Sequence, residues 1–412
     1  MARQAQKERA IVVGVAPKGL PRAVAEDHLD ELERLVDTAG GEVVGRFFKE
    51  RAAPDPATYV GKGAVIEIGH AARDERAGLI VFDEELSPRQ ARNLEEAWGD
   101  GIRVVDRPGL ILDVFALHAR SREARTQVEL AQLQYLLPRL AGRYEHLSRL
   151  GGGIGGRGAG EQKLELDRRK IRDRIVRLRR DLQKIEVARL VRRRGRRRYA
   201  QVAIAGYANA GKTTLFNRLT QDAAYAADRL FATLDARAAR AASPRLAEVI
   251  FVDTVGLVRK LPTSLVASFR STLSEIRDAD LVLHVIDASS PRADEEERIA
   301  TETFADLGVC ADRILPVLTK MDLTGNGGRP GSIAVSAKTG EGIPRLETEI
   351  LRRLQPETEE FRVRIPYTSS RAIATARAAF RVVDEEDRGD ALWMRLAGER
   401  KNLRSLVRFV ER

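Results

Sequence analysis

The sequence of 412 residues is poor in cysteine and histidine and has no long hydrophobic run. Its single cysteine, Cys310, excludes an internal disulfide, which fits a reducing cytosol. The five histidines are dispersed, so no His/Cys metal site is expected. No apolar run approaches the roughly 20 residues of a membrane span. Because Ile11–Ala16 is also too short for the apolar region of a secretory signal, we expect a cytoplasmic protein.

Positive charge is in excess and is concentrated in one segment. The chain has 71 Lys and Arg against 60 Asp and Glu, a net charge of +11. Residues 157–198 alone contain 18 Lys and Arg and 6 Asp and Glu, a local net of +12, so the rest is close to neutral. The segment ends in Arg192-Arg-Arg-Gly-Arg-Arg-Arg198. This pattern favours a surface for structured RNA, although a solvated basic linker without a specific partner is the alternative.

A glycine-rich turn follows the apolar run Tyr199–Ala205 and precedes a helical pattern. The spacing Gly206-x4-Gly211-Lys212-Thr213 in this strand–turn–helix context predicts a phosphate-binding loop. Its backbone N–H groups would surround the β-phosphate, Lys212 would supply charge to the β- and γ-phosphates, and the Thr213 hydroxyl would bind Mg²⁺. A chance glycine-rich turn is the alternative, and it is disfavoured because further motifs follow in order.

Three later motifs each follow a predicted strand. Asp253-Thr-Val-Gly256 offers a carboxylate for Mg²⁺ through water and an amide for the γ-phosphate. Thr319-Lys-Met-Asp322 and Ser336-Ala-Lys338 predict a guanine site, because the Asp322 carboxylate can accept from guanine N1–H and N2–H₂, and adenine has no such donor pair. These motifs therefore favour GTP over ATP. The residues predicted to bind GTP are Gly206, Tyr207, Ala208, Asn209, Ala210, Gly211, Lys212, Thr213, Thr214, Asp253, Thr254, Val255, Gly256, Thr319, Lys320, Met321, Asp322, Ser336, Ala337 and Lys338.

The N-terminal region alternates strand and helix patterns, which predicts a small α/β domain with a mostly parallel sheet. The predicted strands are Ile11–Val15, Glu42–Phe47, Leu79–Phe82 and Arg103–Val105. Ser87 is a plausible N-cap for a helix over Pro88–Trp98. Val60-Gly-Lys-Gly63 resembles part of a phosphate loop, but a tight turn before a helix at 64–73 is favoured. Asp83-Glu-Glu85 suits metal or acid–base work, but a solvated strand end is favoured because no partner can be named.

Two apolar stripes with helical spacing predict an antiparallel helical hairpin. The first predicts one long helix before Pro138 and comprises Leu110, Val114, Leu117, Ala124, Val128, Ala131 and Tyr135. The second comprises Leu164, Ile171, Ile175, Leu178, Leu182 and Ile185. Between them, residues 151–160 include seven glycines, typical of a flexible linker but also suited to a tip that probes RNA.

The C-terminal segment predicts a small α+β domain in which no chemistry is recognisable, so we expect a role in docking or regulation. Its predicted elements are a strand over Phe361–Ile365, a helix over Arg371–Ala379, two strands around the turn Glu385–Gly389 and a helix near Asn402–Val410.

Together these residues resemble the HflX family of ribosome-associated GTPases over about residues 59–355. The resemblance rests on Gly-Tyr-Ala-Asn-Ala-Gly-Lys-Thr-Thr-Leu-Phe-Asn (206–217), Leu-Phe-Ala-Thr-Leu-Asp (230–235) and Asp-Thr-Val-Gly-Leu-Val-Arg-Lys-Leu-Pro (253–262). The linker motifs Val-Glu-Leu-Ala-Gln-Leu-Gln-Tyr-Leu-Leu-Pro-Arg-Leu (128–140) and Gly-Gly-Gly-Ile-Gly (151–155) also match.

The resemblance implies further site residues and a partner. It adds Phe231, Ala232, Thr233, Leu234 and Asp235 to the predicted GTP-binding set, with Thr233 as a second Mg²⁺ ligand. It also implies binding to the large ribosomal subunit and its rRNA through the N-terminal domain and hairpin. We expect the protein to be a monomer.

The sequence departs from the family pattern at several positions. Thr319 stands where Asn is usual, which puts one hydrogen bond around the base and phosphate loop in doubt. Gln162-Lys163 stands where Thr-Gln is usual, and Pro108 stands where Thr is usual. These two differences concern the linker. Leu257 occupies the position of the glutamine that orients the attacking water in Ras-like GTPases, so the catalytic group is unknown.

We therefore expect an α/β protein with a P-loop GTPase domain over 199–355. A small α/β domain (1–118) and an antiparallel helical hairpin (119–198) would precede it, and a small α+β domain (356–412) would follow. The expected function is a Mg²⁺-dependent GTPase that splits or rescues stalled or idle ribosomes, or assists subunit biogenesis. An RNA-binding assembly factor with GTP as a structural ligand is the alternative. An ATP-driven RNA remodeller is opposed by Asp322 and by the absence of a second motor-like domain.

Overall fold

A computed structural model describes most of the chain and divides it into two compact units, Met1–Ile343 and Pro344–Arg412. The described residues are 7–19, 21–99, 101–143, 159–195, 199–222, 231, 237–260, 270–324, 328–354, 358–399 and 406–410. Among them, no helix combines the length and the hydrophobicity that crossing a membrane requires.

The first sheet is fully parallel, as the alternating pattern predicted. Its strands are β1 (Glu8–Pro17), β2 (Gly41–Arg51), β3 (Leu79–Phe82) and β4 (Arg103–Asp106), in the order β2-β1-β3-β4. Helices α1 (Arg22–Thr38), α2 (Lys62–Asp74) and α3 (Pro88–Trp98) connect them. Both faces are apolar because both are covered: Val12 packs in one core cluster and Ile11 in another. Ser87 caps α3 in a reciprocal capping box with Gln90, so this predicted cap is confirmed.

The predicted single long helix before Pro138 is wrong, because the structure has two helices there. They are α4 (Arg107–His118) and α5 (Arg122–Arg143). The chain becomes extended at Ala119, and the Ser121 hydroxyl accepts a hydrogen bond from the Ala124 amide at 3.0 Å, which starts the second helix. The apolar spacing continues across this break and so conceals it. Pro138 lies inside α5, where the packing of both helix faces offsets its missing donor.

The two faces of α5 have different partners, which corrects the predicted pairing. The first predicted stripe (Val128, for example) packs in the core of the first sheet rather than against the second helix, except for Leu117, which is exposed. Another stripe contacts α6 (Ala159–Gly195) and comprises Leu130, Leu133 and Leu137. It meets four members of the second predicted stripe: Ile171, Ile175, Leu178 and Leu182. Glu129 and Arg174 add an ion pair of 2.6 Å at the helix surface. Sequence periodicity identified the helical segments but assigned the wrong face of α5 to the contact.

Asp106 joins the sheet to both α4 and α5. Its buried carboxylate accepts hydrogen bonds from the amides of Leu86 and Gly109, both at 3.0 Å, and from Tyr135 Oη at 2.6 Å and Arg139 Nη2 at 2.8 Å. Burial, and next the Asp106 charge, raises the pKa of Tyr135 well above its usual range. A hydroxyl that stays protonated in this way is a durable donor to the carboxylate.

Replacing Tyr135 by Phe should lower the free energy of unfolding by about 1.5–3 kcal/mol, the usual worth of a hydrogen bond to a charged group. Urea unfolding of the full chain measures the loss. The matched control is Tyr199→Phe, which removes a hydroxyl bonded to exposed Arg240 and should cost less than about 0.5 kcal/mol. Equal losses for both variants would contradict the anchoring role of Asp106.

The second sheet has six strands, and all pairs except one are parallel. The strands are β5 (Ala200–Gly206), β6 (Arg237–Arg240), β7 (Val249–Asp253), β8 (Leu281–Asp287), β9 (Ile314–Thr319) and β10 (Ile333–Ala334), in the order β10-β9-β8-β5-β7-β6. Its helices are α7 (Lys212–Thr220), α8 (Arg270–Asp278) and α9 (Ala293–Asp306). The antiparallel edge strand β6 was not predicted, because its sequence Arg-Ala-Ala-Arg has low strand propensity. All four predicted motifs follow strands of this sheet, at the edge where open parallel sheets bind ligands.

The second unit is a small α+β fold, as predicted. It begins within α10 (Ile343–Leu354), whose first residue belongs to the first unit, and continues with β11 (Thr358–Pro366), α11 (Ser370–Ala379), β12 (Arg381–Asp387) and β13 (Ala391–Glu399). The strands form an antiparallel sheet in the order β11-β13-β12, with a core that includes Val363 and Leu396. In place of the predicted final helix, residues 407–409 form a short 3₁₀ turn, and 401–405 lie outside the described residues.

Candidate functional site

Three hydrogen bonds join the four predicted motifs. The Thr213 hydroxyl donates to Asp253 Oδ2 at 2.8 Å, Thr319 Oγ1 lies 2.7 Å from the Ala210 carbonyl, and the Ser336 hydroxyl donates to Asp322 Oδ1 at 2.7 Å. Residues up to 126 positions apart in the sequence thus meet at one edge of the second sheet.

The turn between β5 and α7 requires glycine at two positions. A Cβ on Gly206 would lie 2.2 Å from the Val285 carbonyl oxygen of β8, so no other residue fits there. Gly211 has a φ of 88° and caps the N-terminus of α7 in the left-handed conformation. The loop therefore leads directly into the N-terminus of α7, where the helix dipole favours an anion.

Lys212 and Thr213 begin α7 beside the end of β7. Lys212 is buried, and its ammonium donates to the Tyr207 carbonyl oxygen at 2.6 Å. Burial lowers the pKa of Lys212 to about 8, against the opposing charge of Asp253. A phosphate would therefore meet a cation that little water shields.

The hydroxyl of Thr213 and the carboxylate of Asp253 form a pair of hard oxygen donors 2.8 Å apart. Mg²⁺ prefers hard oxygen ligands and usually keeps several of its waters. The chemistry of this pair therefore suits an Mg²⁺ that Thr213 binds directly and Asp253 binds through water.

The segment after β7 lies directly against the phosphate loop. The Leu257 amide donates to the Gly206 carbonyl at 3.0 Å, and the Ala208 amide donates to the Leu257 carbonyl at 2.7 Å. A Cβ on Gly256 would lie 2.8 Å from Ala208 Cα and 3.1 Å from Lys212 Nζ. The Leu257 side chain is buried in a core cluster, so it is not available to orient a water molecule.

Two of the predicted base-binding residues are positioned by contacts with neighbouring side chains, and Asp322 is exposed to solvent. Asp322 is exposed, and the hydrogen bond from Ser336 lowers the pKa of its carboxyl group. Lys320 has a φ of 58° and pairs with Asp287 at 2.7 Å, which fixes its aliphatic stem beside the loop. An ionised carboxylate in this position can accept two hydrogen bonds from one edge of a planar base.

Thr319, which departs from the family pattern, still reaches the phosphate loop. Its hydroxyl lies 2.7 Å from the Ala210 carbonyl and 3.0 Å from the Ile286 carbonyl. A hydroxyl has one proton and can donate to only one of them at a time, whereas an amide could donate twice. The substitution thus keeps the tie between the motifs with one donor fewer.

Some predicted residues lie outside the described residues or away from the site. Residues 232–235, with the predicted Mg²⁺ ligand Thr233, are outside, as are 151–158 of the glycine-rich tip and Arg196–Arg198. The buried ring of Phe231 packs edge-on against Phe115 of α4, with centroids 4.6 Å apart. Any contact of Phe231 with a nucleotide therefore falls to its backbone.

Asp83 is not the solvated strand end that the sequence favoured. Its carboxylate is buried and pairs with Arg107 at 2.5 Å and with Lys260 at 2.6 Å. Sequence reasoning also missed Glu31, which accepts a hydrogen bond from the predicted loop residue Tyr207 at 2.6 Å. In the sequence, only the pair of cations Arg259-Lys260, shortly after the Asp253–Gly256 motif, indicates that acidic partners are needed there.

Comparisons with known proteins found matches over most of the chain. Family models described as "GTP-binding GTPase N-terminal", "GTP-binding GTPase Middle Region" and "50S ribosome-binding GTPase" match residues 26–116, 118–196 and 201–320. "GTPase HflX" of Caldanaerobacter subterraneus subsp. tengcongensis is 44% identical over 384 residues, 92% of this chain and 88% of that protein. "GTPase HflX" of Escherichia coli K12 is 42% identical over 351 residues, 82% of each chain. A GTP-binding protein from Sulfolobus solfataricus in complex with GDP aligns over 85% of this chain and 99% of its own, with 24% identity and a TM-score of 0.45.

Proposed function

Because the chain belongs to the HflX family of GTPases, we propose that its nucleotide state gates docking on the large ribosomal subunit. Docking would serve to split or rescue stalled or idle ribosomes, or to assist subunit biogenesis. GTP hydrolysis itself follows from the family. Docking on the ribosomal subunit is supported by a basic face on α6.

That face lies on the side of α6 away from α5. With 100° between successive helical residues, Arg169 and Arg180 lie opposite Ile171 and Ile175, and Arg177 lies nearby. All three arginines are exposed, and none forms an ion pair with another described residue. Uncompensated arginines on a long helix suit the phosphates of an RNA, whose affinity rises with each contact.

The nucleotide site supports specific roles for its residues. Lys212 and amides of the phosphate loop would bind the phosphates, and Gly256 would contact the γ-phosphate. Thr213 would hold Mg²⁺ directly and Asp253 through water, with Thr233 as a further ligand. Bound Mg²⁺ would neutralise charge on the β- and γ-phosphates. Asp322 would select guanine.

The alternative is an RNA-binding assembly factor that uses GTP only as a structural ligand. GTP turnover by the protein, measured with and without purified large subunits, separates the two functions. The gating function predicts turnover that rises with subunit concentration, whereas the scaffold predicts no such rise. Small subunits at equal concentration serve as the control for nonspecific RNA.

Turnover by the free protein should be slow, because Leu257 is buried and cannot hydrogen-bond to water. A group supplied by a partner can raise such rates by a factor of about 10³–10⁵, so we expect stimulation by large subunits of at least about 10³-fold. Single-turnover phosphate release measures both rates. A free protein as fast as the stimulated one would contradict a site completed by the partner.

A further inference from the structure

A buried ion network connects the first sheet to the phosphate loop. Arg107, at the start of α4, is only 1% exposed and pairs with Glu31 at 2.7 Å and with Asp83 at 2.5 Å. Glu31 lies on α1, and Asp83 follows β3. Two buried carboxylates thus share one guanidinium, which leaves one negative charge to be balanced by other elements.

The balancing cations come from the segment that follows Gly256. Arg259 Nε donates to Glu31 Oε2 at 3.2 Å, and Arg259 Nη1 donates to Glu295 at 3.2 Å. Lys260 Nζ donates to Asp83 Oδ2 at 2.6 Å and to Glu84 Oε1 at 2.5 Å. The segment that follows Gly256 is therefore held in place by carboxylates that lie outside the nucleotide site.

Tyr207 ties the phosphate loop into the same network. Its hydroxyl donates to Glu31 Oε2 at 2.6 Å and accepts from the Arg259 amide at 3.0 Å. Burial by itself raises the pKa of Glu31, but Arg107, Tyr207 and Arg259 outweigh it and hold the pKa below its usual range. The Glu31 carboxylate therefore stays charged and keeps all three donors.

The network fixes how close Gly256 lies to the loop. Gly256 packs against Ala208 and the Lys212 ammonium, with a Cβ position 3.1 Å from Lys212 Nζ. A γ-phosphate oxygen bound by both the Gly256 amide and Lys212 would enter where this segment meets the loop. The position of the segment, which is anchored at Arg259 and Lys260, therefore affects the room for a γ-phosphate.

We propose that Glu31, Asp83 and Glu84 are positioning residues for the γ-phosphate site, acting through Tyr207, Arg259 and Lys260. They hold the segment from Gly256 to Lys260 against the phosphate loop, a position that accommodates GDP and opposes the γ-phosphate. Binding of GTP weakens this contact, and by linkage the strength of the contact sets the preference between GDP and GTP. The proposal rests on the nucleotide site of the proposed function and not on docking to the ribosome.

The test compares affinities for GDP and for a non-hydrolysable GTP analogue by titration calorimetry. Lys260→Met removes the charge and keeps most of the stem, so analogue affinity should rise about fivefold, at the low end of typical couplings, with GDP affinity unchanged. Lys260→Arg keeps the charge and should restore the original ratio. Lys184→Met, at an exposed lysine of α6, should change neither affinity.

Glu84→Gln is a second variant that does not depend on Lys260 tolerating substitution, because Glu84 is half-buried at the rim of the network. It should raise the ratio of analogue affinity to GDP affinity, as Lys260→Met does. The double variant should raise this ratio little beyond the value for Lys260→Met alone. An unchanged ratio in both single variants, or equal changes in GDP and analogue affinity, would overturn the positioning role. Loss of all nucleotide binding by the unaltered protein would instead contradict the nucleotide site itself.

Discussion

Replacing Asp322 by Asn should weaken GTP binding at least about tenfold and make xanthosine triphosphate the better ligand. The exposed carboxylate is oriented by Ser336 at 2.7 Å, so both of its oxygens can serve one base edge. A hydrogen bond to a charged group contributes about 1.5–3 kcal/mol, and each 1.4 kcal/mol corresponds to about tenfold in affinity. An amide instead donates to xanthine O2 while it accepts from N1–H, which reverses the preference.

Titration calorimetry with GTP and with xanthosine triphosphate measures both affinities. Asp306→Asn, at an exposed position near the end of α9, removes the same charge away from the site and should leave both affinities unchanged. Ser336→Ala should reduce GTP affinity by a smaller factor, because the carboxylate remains but is less well oriented. If Asp322→Asn bound GTP as tightly as the original protein, Asp322 would not contact the base.

Replacing Arg169, Arg177 and Arg180 of α6 by Gln should reduce affinity for large subunits and flatten the dependence of that affinity on salt. If each arginine contacts a phosphate, the slope of log affinity against log salt should fall by about 0.7–0.9 per residue. The neighbouring cations Arg172 and Arg174 already pair with carboxylates, so they should contribute less.

Co-sedimentation across a salt series measures the slope. A matched variant with Arg76, Arg345 and Arg371 changed to Gln loses the same charge from exposed positions elsewhere and should keep the original slope. Both variants should bind GTP normally, because none of the six positions lies in a predicted nucleotide motif. An unchanged slope in the α6 variant would favour a solvated linker over an RNA contact.

The nucleotide motifs could be predicted because each is local and follows a strand. Parallel strands bring their carboxyl ends to one edge, so motifs separated by as many residues as Thr213 and Ser336 converge without any knowledge of side-chain packing. The first sheet was predictable for the same reason, since strands covered on both faces give continuous apolar runs.

Contacts between distant segments could not be predicted. Asp83 pairs with Lys260, 177 residues away, and Glu31 with Arg259, 228 residues away, and no local pattern indicates such partners. The break at Ala119 was hidden because the apolar spacing of α4 continues into α5. The face of α5 that packs on α6 was misassigned because that helix is apolar on two sides, and periodicity alone does not choose between them.

Control of docking by the nucleotide state can be measured as equilibrium binding to purified large subunits. The protein should be loaded either with a non-hydrolysable GTP analogue or with GDP, at one fixed salt concentration. Binding should be at least about tenfold tighter with the analogue, a coupling within the usual range. In the Asp322→Asn variant, the same dependence should be seen with the xanthosine analogue. Equal affinity in the two nucleotide states would contradict control of docking by the nucleotide.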